Sequence, residues 1–211
     1  MQFGYALKGT SVLLFRHKEL RAAQYFCYPD WPGGFYTTAT VAGSRSGGMI
    51  AQTWASLVSI GEEGYLSYTR GIMDTAKAIA DGIIDGIPEL GVIGGTKAMI
   101  VCVVANSDFK VNGNPLNIHS VASTMHKRGW ILQSMHRPNC FHYCATVRNT
   151  GMEGTFLADL KESVAELKAE MQKGVVKLSG NAAVYGMAQS LPDGPVAEFL
   201  KTYNDNILGK L

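Results

Sequence analysis

The sequence is poor in charge. Only 17% of its 211 residues are Asp, Glu, Lys or Arg, and the balance leaves a net charge of +2. That gives no electrostatic footprint for nucleic acid or for an anionic membrane surface. No apolar run has the length of a membrane span. The longest, Met99 to Ala105, fits a buried strand. Cysteine is scarce. Cys27, Cys102, Cys140 and Cys144 are all there is, and their spacing matches no common zinc site. They are expected to be reduced thiols, with Cys102 and Cys144 acting as small hydrophobes in strand-like runs. The five histidines form no metal pattern either. His119 and His126 lie about two turns apart on one predicted helix, too far for an i, i+4 ligand pair. His142 alternates with core positions in a strand. Glu62 and Glu63 are adjacent on a turn and cannot face each other as a catalytic pair. No metal site is expected, and no internal repeat or low-complexity tract is present.

Hydrophobic residues at 46% make the chain globular, and 24 glycines imply many turns. Val12 to Phe15 reads as a short buried strand. Tyr28 to Gly34 reads as an irregular loop. A helix is predicted from near Gly48, with Ile50, Trp54, Leu57 and Val58 at helical spacing. Gly61-Glu62-Glu63-Gly64 interrupts it. A second helical stretch follows, with Tyr65, Tyr68, Ile72, Ala76, Ile79 and Ile83 on one side. Further on come a strand at Ala98–Ala105 and a helix at Pro115–Arg128, capped by Asn114 and ended by Gly129. Strands at Ile131–Met135 and His142–Val147 flank the turn Arg137-Pro138-Asn139. Helices at Phe156–Met171 and Pro195–Leu208 complete the chain. The order β-α-β-β-α implies helices over one face of a mostly antiparallel sheet. Residues 86–211 are expected to form a small domain that folds by itself. Residues 1–85 have one strand, too little to bury two faces, and read as the end of a larger parallel-sheet domain.

The segment Tyr36-Thr37-Thr38-Ala39-Thr40-Val41-Ala42-Gly43-Ser44-Arg45-Ser46-Gly47-Gly48 carries the chemistry. Hydroxyls, a cation and glycines stand on a turn before a helix, which is equipment for holding a phosphate. Arg45 has a structural reading beside this one, as a partner of a carboxylate or a helix cap. Lys8, in a Lys-Gly turn, reads as a surface lysine on its own terms.

These residues resemble a family. Phe3-Gly4-Tyr5-Ala6-Leu7-Lys8-Gly9-Thr10, Asp30-Trp31-Pro32-Gly33-Gly34-Phe35-Tyr36, Gly43-Ser44-Arg45-Ser46-Gly47-Gly48, Gly61-Glu62-Glu63-Gly64-Tyr65, Lys127-Arg128-Gly129-Trp130 and Tyr185-Gly186-Met187-Ala188-Gln189 are similar to the pyridoxal-phosphate-dependent group II decarboxylases. More narrowly, the Asp-Trp-Pro-Gly-Gly and Tyr-Gly-Met-Ala-Gln segments resemble the C-terminal portion of the sphingosine-1-phosphate lyases. The resemblance implies an α/β fold: the C-terminal part of the fold type I transferase-like fold, residues 1–85, then an α+β small domain, residues 86–211. It implies pyridoxal 5'-phosphate as cofactor and electron sink. It also implies cleavage of a phosphorylated sphingoid base into a fatty aldehyde and phosphoethanolamine, at sites on a dimer interface. The implied location is the cytoplasm, or the cytosolic face of the endoplasmic reticulum if an upstream part carries an anchor.

On the same resemblance, Thr40, Gly43, Ser44 and Arg45 reach the cofactor phosphate of the neighbouring subunit, and Lys8 lies near the reacting centre. The family motif His-Lys-Tyr-Gly-Tyr-Ala-Pro-Lys-Gly has its Schiff-base lysine where this chain has Gln2. An amide forms no imine. The chain alone is therefore expected to be inactive. It reads as a fragment of a lyase, as a non-catalytic assembly partner of a complete lyase subunit, or as a fragment of another amino-acid decarboxylase.

Overall fold

The computed structural model describes residues 4–174 and 193–209. Gln2 and the Tyr185–Gln189 segment lie outside the described residues. The chain divides into two compact units, Met1–Ser67 and Tyr68–Leu211.

The first unit holds a short helix α1 (Lys18–Ala22), strands β1 (Phe26–Tyr28) and β2 (Tyr36–Thr38), and the beginning of a long helix α2 (Gly47–Gly86). β1 and β2 pair antiparallel, with Phe26 opposite Thr38 and Tyr28 opposite Tyr36. The expected irregular loop is thus the connection of a hairpin. Tyr36 takes edge contacts from Phe26 and Trp31, with ring centroids 6.2 and 5.9 Å away. The strand expected at Val12–Phe15 does not form. That segment is extended but unpaired, and Leu13 and Leu14 are 67% and 86% exposed. An apolar run becomes a strand only beside a partner, and the two hairpin strands pair with each other. The break expected at Gly61 is present. Gly61 takes φ 65 and ψ 175 inside the helical run, a backbone open to glycine and strained for other residues.

The second unit holds, in chain order after the later turns of α2, β3 (Leu90–Ile93), β4 (Ile100–Ala105), β5 (Lys110–Val111), β6 (Asn114–Pro115), α3 (Ile118–Lys127), β7 (Gln133–Met135), β8 (Cys140–Cys144), α4 (Glu153–Gln172) and α5 (Asp193–Leu208). Four strands form one sheet in the order β3-β4-β8-β7, and every neighbouring pair is antiparallel. β3 is an addition to the expected order. It is only four residues long and contains Gly91, so it gives little periodic signal. Its pairing decides it, Leu90 opposite Ala105 and Ile93 opposite Cys102.

Helix α3 starts later than expected. Asn117, not Asn114, caps it, accepting from the amides of His119 at 2.9 Å and Ser120 at 3.2 Å. Asn112 and Gly113, at φ 52 and 79, form a hairpin turn, and this draws Asn114-Pro115 into a ladder with Lys110-Val111. Gly129 ends α3 as expected, at φ 93.

Alternate residues of the central strands, Val101, Val103, Phe141 and Tyr143, are buried. They share one core with Val121 and Met125 of α3, Phe156, Leu160 and Val164 of α4, and Ala76, Ile79, Ala80 and Ile83 of α2. The Phe156 ring lies tilted at 4.6 Å from Tyr143 and perpendicular to Trp130 at 5.0 Å, and Trp130 Nε1 donates to Asp159 at 2.7 Å. Arg128 joins α3 to α4, donating to Ser163, Glu162 and Glu166 at 3.1, 3.0 and 3.1 Å.

Two outcomes are expected. The Tyr143 hydroxyl is buried without a hydrogen-bond partner among the described residues, and burial pushes its phenol up to about 12. Because the raised value belongs to the fold, the neutral phenol's contribution is whole below about pH 10 and is lost as pH rises toward the folded value. Tyr143→Phe should therefore hold or gain stability, by up to about 1 kcal/mol, and should flatten the alkaline fall of the urea midpoint. A loss of more than about 2 kcal/mol would show that the hydroxyl is bonded. The second outcome concerns truncation. A piece beginning at Tyr68 keeps the four α2 side chains of the core, and one beginning at Gly86 lacks them. The first should melt cooperatively and at a higher temperature than the second. Equal melting would place the folding limit near residue 86.

Candidate functional site

The turn after β2 is braced by its own hydroxyls. Thr38 Oγ1 donates to the Thr40 carbonyl at 2.9 Å, and Thr40 Oγ1 donates to the Ala42 carbonyl at 2.9 Å. Arg45 folds back on the turn. Its Nη1 donates to the Ala42 carbonyl at 2.9 Å and to Thr40 Oγ1. Gln24 Nε2 holds the Ala39 carbonyl at 2.5 Å. Ser46 then begins the helix, its carbonyl accepting from Ile50 N–H at 3.3 Å. Here Arg45 braces the turn, whereas the structural role read from the sequence is a carboxylate partner or a helix cap. Thr40 is half-buried, whereas Gly43, Ser44 and Arg45 are exposed. Ser44 sits on a constrained turn, three residues before the first residue of α2. Such a place suits an anion, because the hydroxyl and the helix start act together.

Lys8 is exposed and stands in a separate turn. Its backbone neighbours are held by α2. Leu7 N–H donates to Gln52 Oε1 at 2.9 Å, Ser56 Oγ donates to the Tyr5 carbonyl at 3.1 Å, and Tyr65 OH donates to the Gly4 carbonyl at 2.8 Å. Thr53 Oγ1 donates to Thr10 Oγ1 at 3.0 Å. Gly9 has φ 98, a conformation that favours glycine, and a Cβ there would stand 2.8 Å from Met49 Cε, the movable end of that side chain. A cavity of about 480 Å³ lies between Gly9–Val12 and the start of α2, where Arg45, Ser46, Met49 and Thr53 line it. Thus the structure brings Arg45 and the neighbour of Lys8 to one cavity. Thr40, Gly43, Ser44 and Lys8 itself do not line it. Sequence reasoning missed Gln52, Thr53, Ser56 and Tyr65. The available signal was a polar stripe, Gln52, Thr53 and Ser56, on an otherwise apolar helix face.

The remaining titratable groups lie elsewhere. Cys102 is pushed up to about 11 by burial and by its hydrogen bond with Cys140, and burial also raises the Cys144 thiol. Burial lowers His119. Cys27, by contrast, is exposed on β1 with its Sγ 3.3 Å from Thr37 Oγ1. Raised thiols keep little thiolate at neutral pH. Iodoacetamide at neutral pH is therefore expected to alkylate Cys27 well before Cys102, as read by peptide mass mapping. Equal labelling would mean that Cys102 is not held in the buried sheet.

Comparison with known proteins bears on this site. The chain is 42% identical to the sphingosine-1-phosphate lyase of Dictyostelium discoideum over 208 residues, covering 98% of this chain and 37% of that protein. It is 39% identical to the sphingosine-1-phosphate lyase of Oryza sativa over 205 residues, 97% of this chain and 36% of that one. Among solved structures, the sphingosine-1-phosphate lyase of Burkholderia pseudomallei aligns with a TM-score of 0.67 at 36% identity, covering 82% of this chain and 37% of that chain. The glutamate decarboxylase of Lactobacillus brevis aligns at 0.51 with 15% identity over 69% of this chain and 34% of that chain, a likeness of fold alone. No protein-family model matches. The chain therefore spans little more than a third of the length of the relatives it matches. Its α/β architecture is that of part of a fold type I enzyme.

Proposed function

We propose, on the premise that the chain belongs with the sphingosine-1-phosphate lyases and matches their C-terminal portion, that it serves a pyridoxal-phosphate-dependent carbon–carbon lyase. The observation that carries this reading is the 42% identity to such a lyase along 98% of the chain. The substrate class is a phosphorylated sphingoid base, cleaved to a fatty aldehyde and phosphoethanolamine. Pyridoxal phosphate would supply the electron sink for that cleavage.

The residues present fit the phosphate of that cofactor. Ser44 offers an exposed hydroxyl on a braced turn, and the start of α2 lies beside it. Gly43 leaves backbone free of side-chain cover, while Thr40 and Arg45 hold the turn in shape. Lys8 would act as a proton carrier or a phosphate partner at the reacting centre. Gln2 offers an amide where the family has its cofactor lysine, so the chain would not hold the cofactor covalently. That substitution favours a second reading beside the lyase fragment: a non-catalytic partner that docks on a complete subunit and lends it Ser44. The same family reading gives a home in the cytoplasm, or on the cytosolic face of the endoplasmic reticulum if an upstream part carries an anchor.

Complementation tests both. The purified chain with pyridoxal phosphate and a phosphorylated sphingoid base should release no aldehyde. It should restore release when mixed with a complete lyase subunit whose own turn serine is replaced by alanine. The Ser44→Ala chain should restore roughly tenfold less or worse, the factor expected for one hydrogen bond to a charged group. Turnover by the chain alone, or equal rescue by Ser44→Ala, would overturn the proposal.

A further inference from the structure

The backbone that carries Lys8 is gripped by one helix at four points. Gln52, Ser56 and Tyr65 hold Leu7, Tyr5 and Gly4 at 2.9, 3.1 and 2.8 Å, and Thr53 meets Thr10 at 3.0 Å. Three of these grips fall on main-chain atoms, so they fix the path of the segment whatever its side chains do. Gln52 and Ser56 are one i, i+4 step apart and stack on one face of α2. Tyr65 follows the break at Gly61, which turns the second stretch so that its hydroxyl reaches Gly4.

Burial does not force these bonds. Leu7 is 58% exposed, and water could satisfy its amide. The gripped path is also unfavourable by itself. Tyr5 has φ 61, a left-handed backbone that costs about 1–3 kcal/mol for a bulky residue, and such a conformation persists only where its surroundings over-determine it. Gly9, at φ 98, is the second left-handed point, and Lys8 stands between them. Moreover, α2 begins at Gly47, just after Ser44. Gln52 is five residues further on, about 8 Å along the axis. One rigid helix therefore sets the interval between the phosphate turn and the Lys8 segment.

We propose that Gln52, Thr53, Ser56 and Tyr65 are positioning residues, which hold Gly4–Thr10 in a strained path so that Lys8 is presented in a single geometry. This rests on the reading of Lys8 as part of a lyase reacting centre, but the clamp is measurable without cofactor or substrate. The test is amide hydrogen exchange at Leu7 in the full chain, with tryptic cleavage after Lys8 as a second readout. Gln52→Ala should speed Leu7 exchange about fivefold, the factor equivalent to about 1 kcal/mol for one hydrogen bond. Gln52→Glu keeps an acceptor at the same place and should restore slow exchange. Tyr65→Phe should speed cleavage after Lys8 while leaving the far-UV spectrum unchanged. Ser59→Ala, a hydroxyl on the same helix that bonds only the Ser56 carbonyl, is the control and should change neither readout. Unchanged Leu7 exchange in Gln52→Ala, or a failure of Gln52→Glu to restore it, would overturn the clamp. Loss of complementation with an intact clamp would instead strike the lyase reading and leave the clamp standing.

Discussion

The larger unit depends on burying one face of a short antiparallel sheet. Phe141 and Tyr143 on β8, and Val101 and Val103 on β4, all point to that face and are almost wholly removed from water. Each such side chain contributes about 1.5–3 kcal/mol, and four strands of three to six residues have little else to hold them. The helices follow from this. Phe156, Leu160 and Val164 repeat at the spacing that keeps one stripe of α4 on the sheet, and Val121 and Met125 do the same for α3. Polar atoms are then fitted around the apolar choice. Trp130 finds Asp159 for its indole N–H, and Arg128 spans three acceptors on α4. The Arg128 ion pairs lie partly in water, so they add specificity of register more than stability.

The smaller unit is organised differently. None of its described apolar side chains is buried, and Val12, Leu13, Trp54, Leu57 and Val58 are exposed. What fixes it is a set of hydrogen bonds between loops and helix α2, together with the hydroxyl-braced turn before that helix. Directional bonds of this kind are weak individually, but they determine backbone path in a way that apolar contact does not. Such bonds set the backbone path leading to Lys8, where packing against this exposed unit would not. This exposed apolar surface belongs to a chain that spans little more than a third of the length of each relative it matches.

Arg45 illustrates how an electrostatic reading changes once geometry is known. In the sequence it is a cation beside a phosphate-like turn. In the fold its guanidinium is committed to Thr40 and Ala42, which stiffens the turn, while Ser44 stays exposed. Stiffening is itself useful to an anion site, because donors already in place need no reordering when the ligand arrives.

Much of this was legible in the residues. Period-3.6 apolar stripes located α2 and α4, glycine at 61 and 129 marked a break and the end of α3, and the Gly-Ser-Arg turn with its companion motifs carried a family resemblance. These are local signals, carried by a few consecutive side chains. Other features were decided only when distant segments met. Val12–Phe15 is as apolar as a strand, yet it has no neighbour to pair with. Leu90–Ile93 is too short to announce itself, yet it pairs with β4. Asn114 reads as the cap of α3 until the Asn112-Gly113 turn takes it into a ladder and Asn117 caps instead. Gln52, Ser56 and Tyr65 look like ordinary helix residues until the chain 45 to 61 positions earlier in sequence lies against them. The sequence alone determined helix faces and helix ends, because those depend on side-chain type and near spacing. Pairing, capping and the grip on Lys8 required the tertiary structure, because a hydrogen bond belongs to two partners and the sequence names only one at a time.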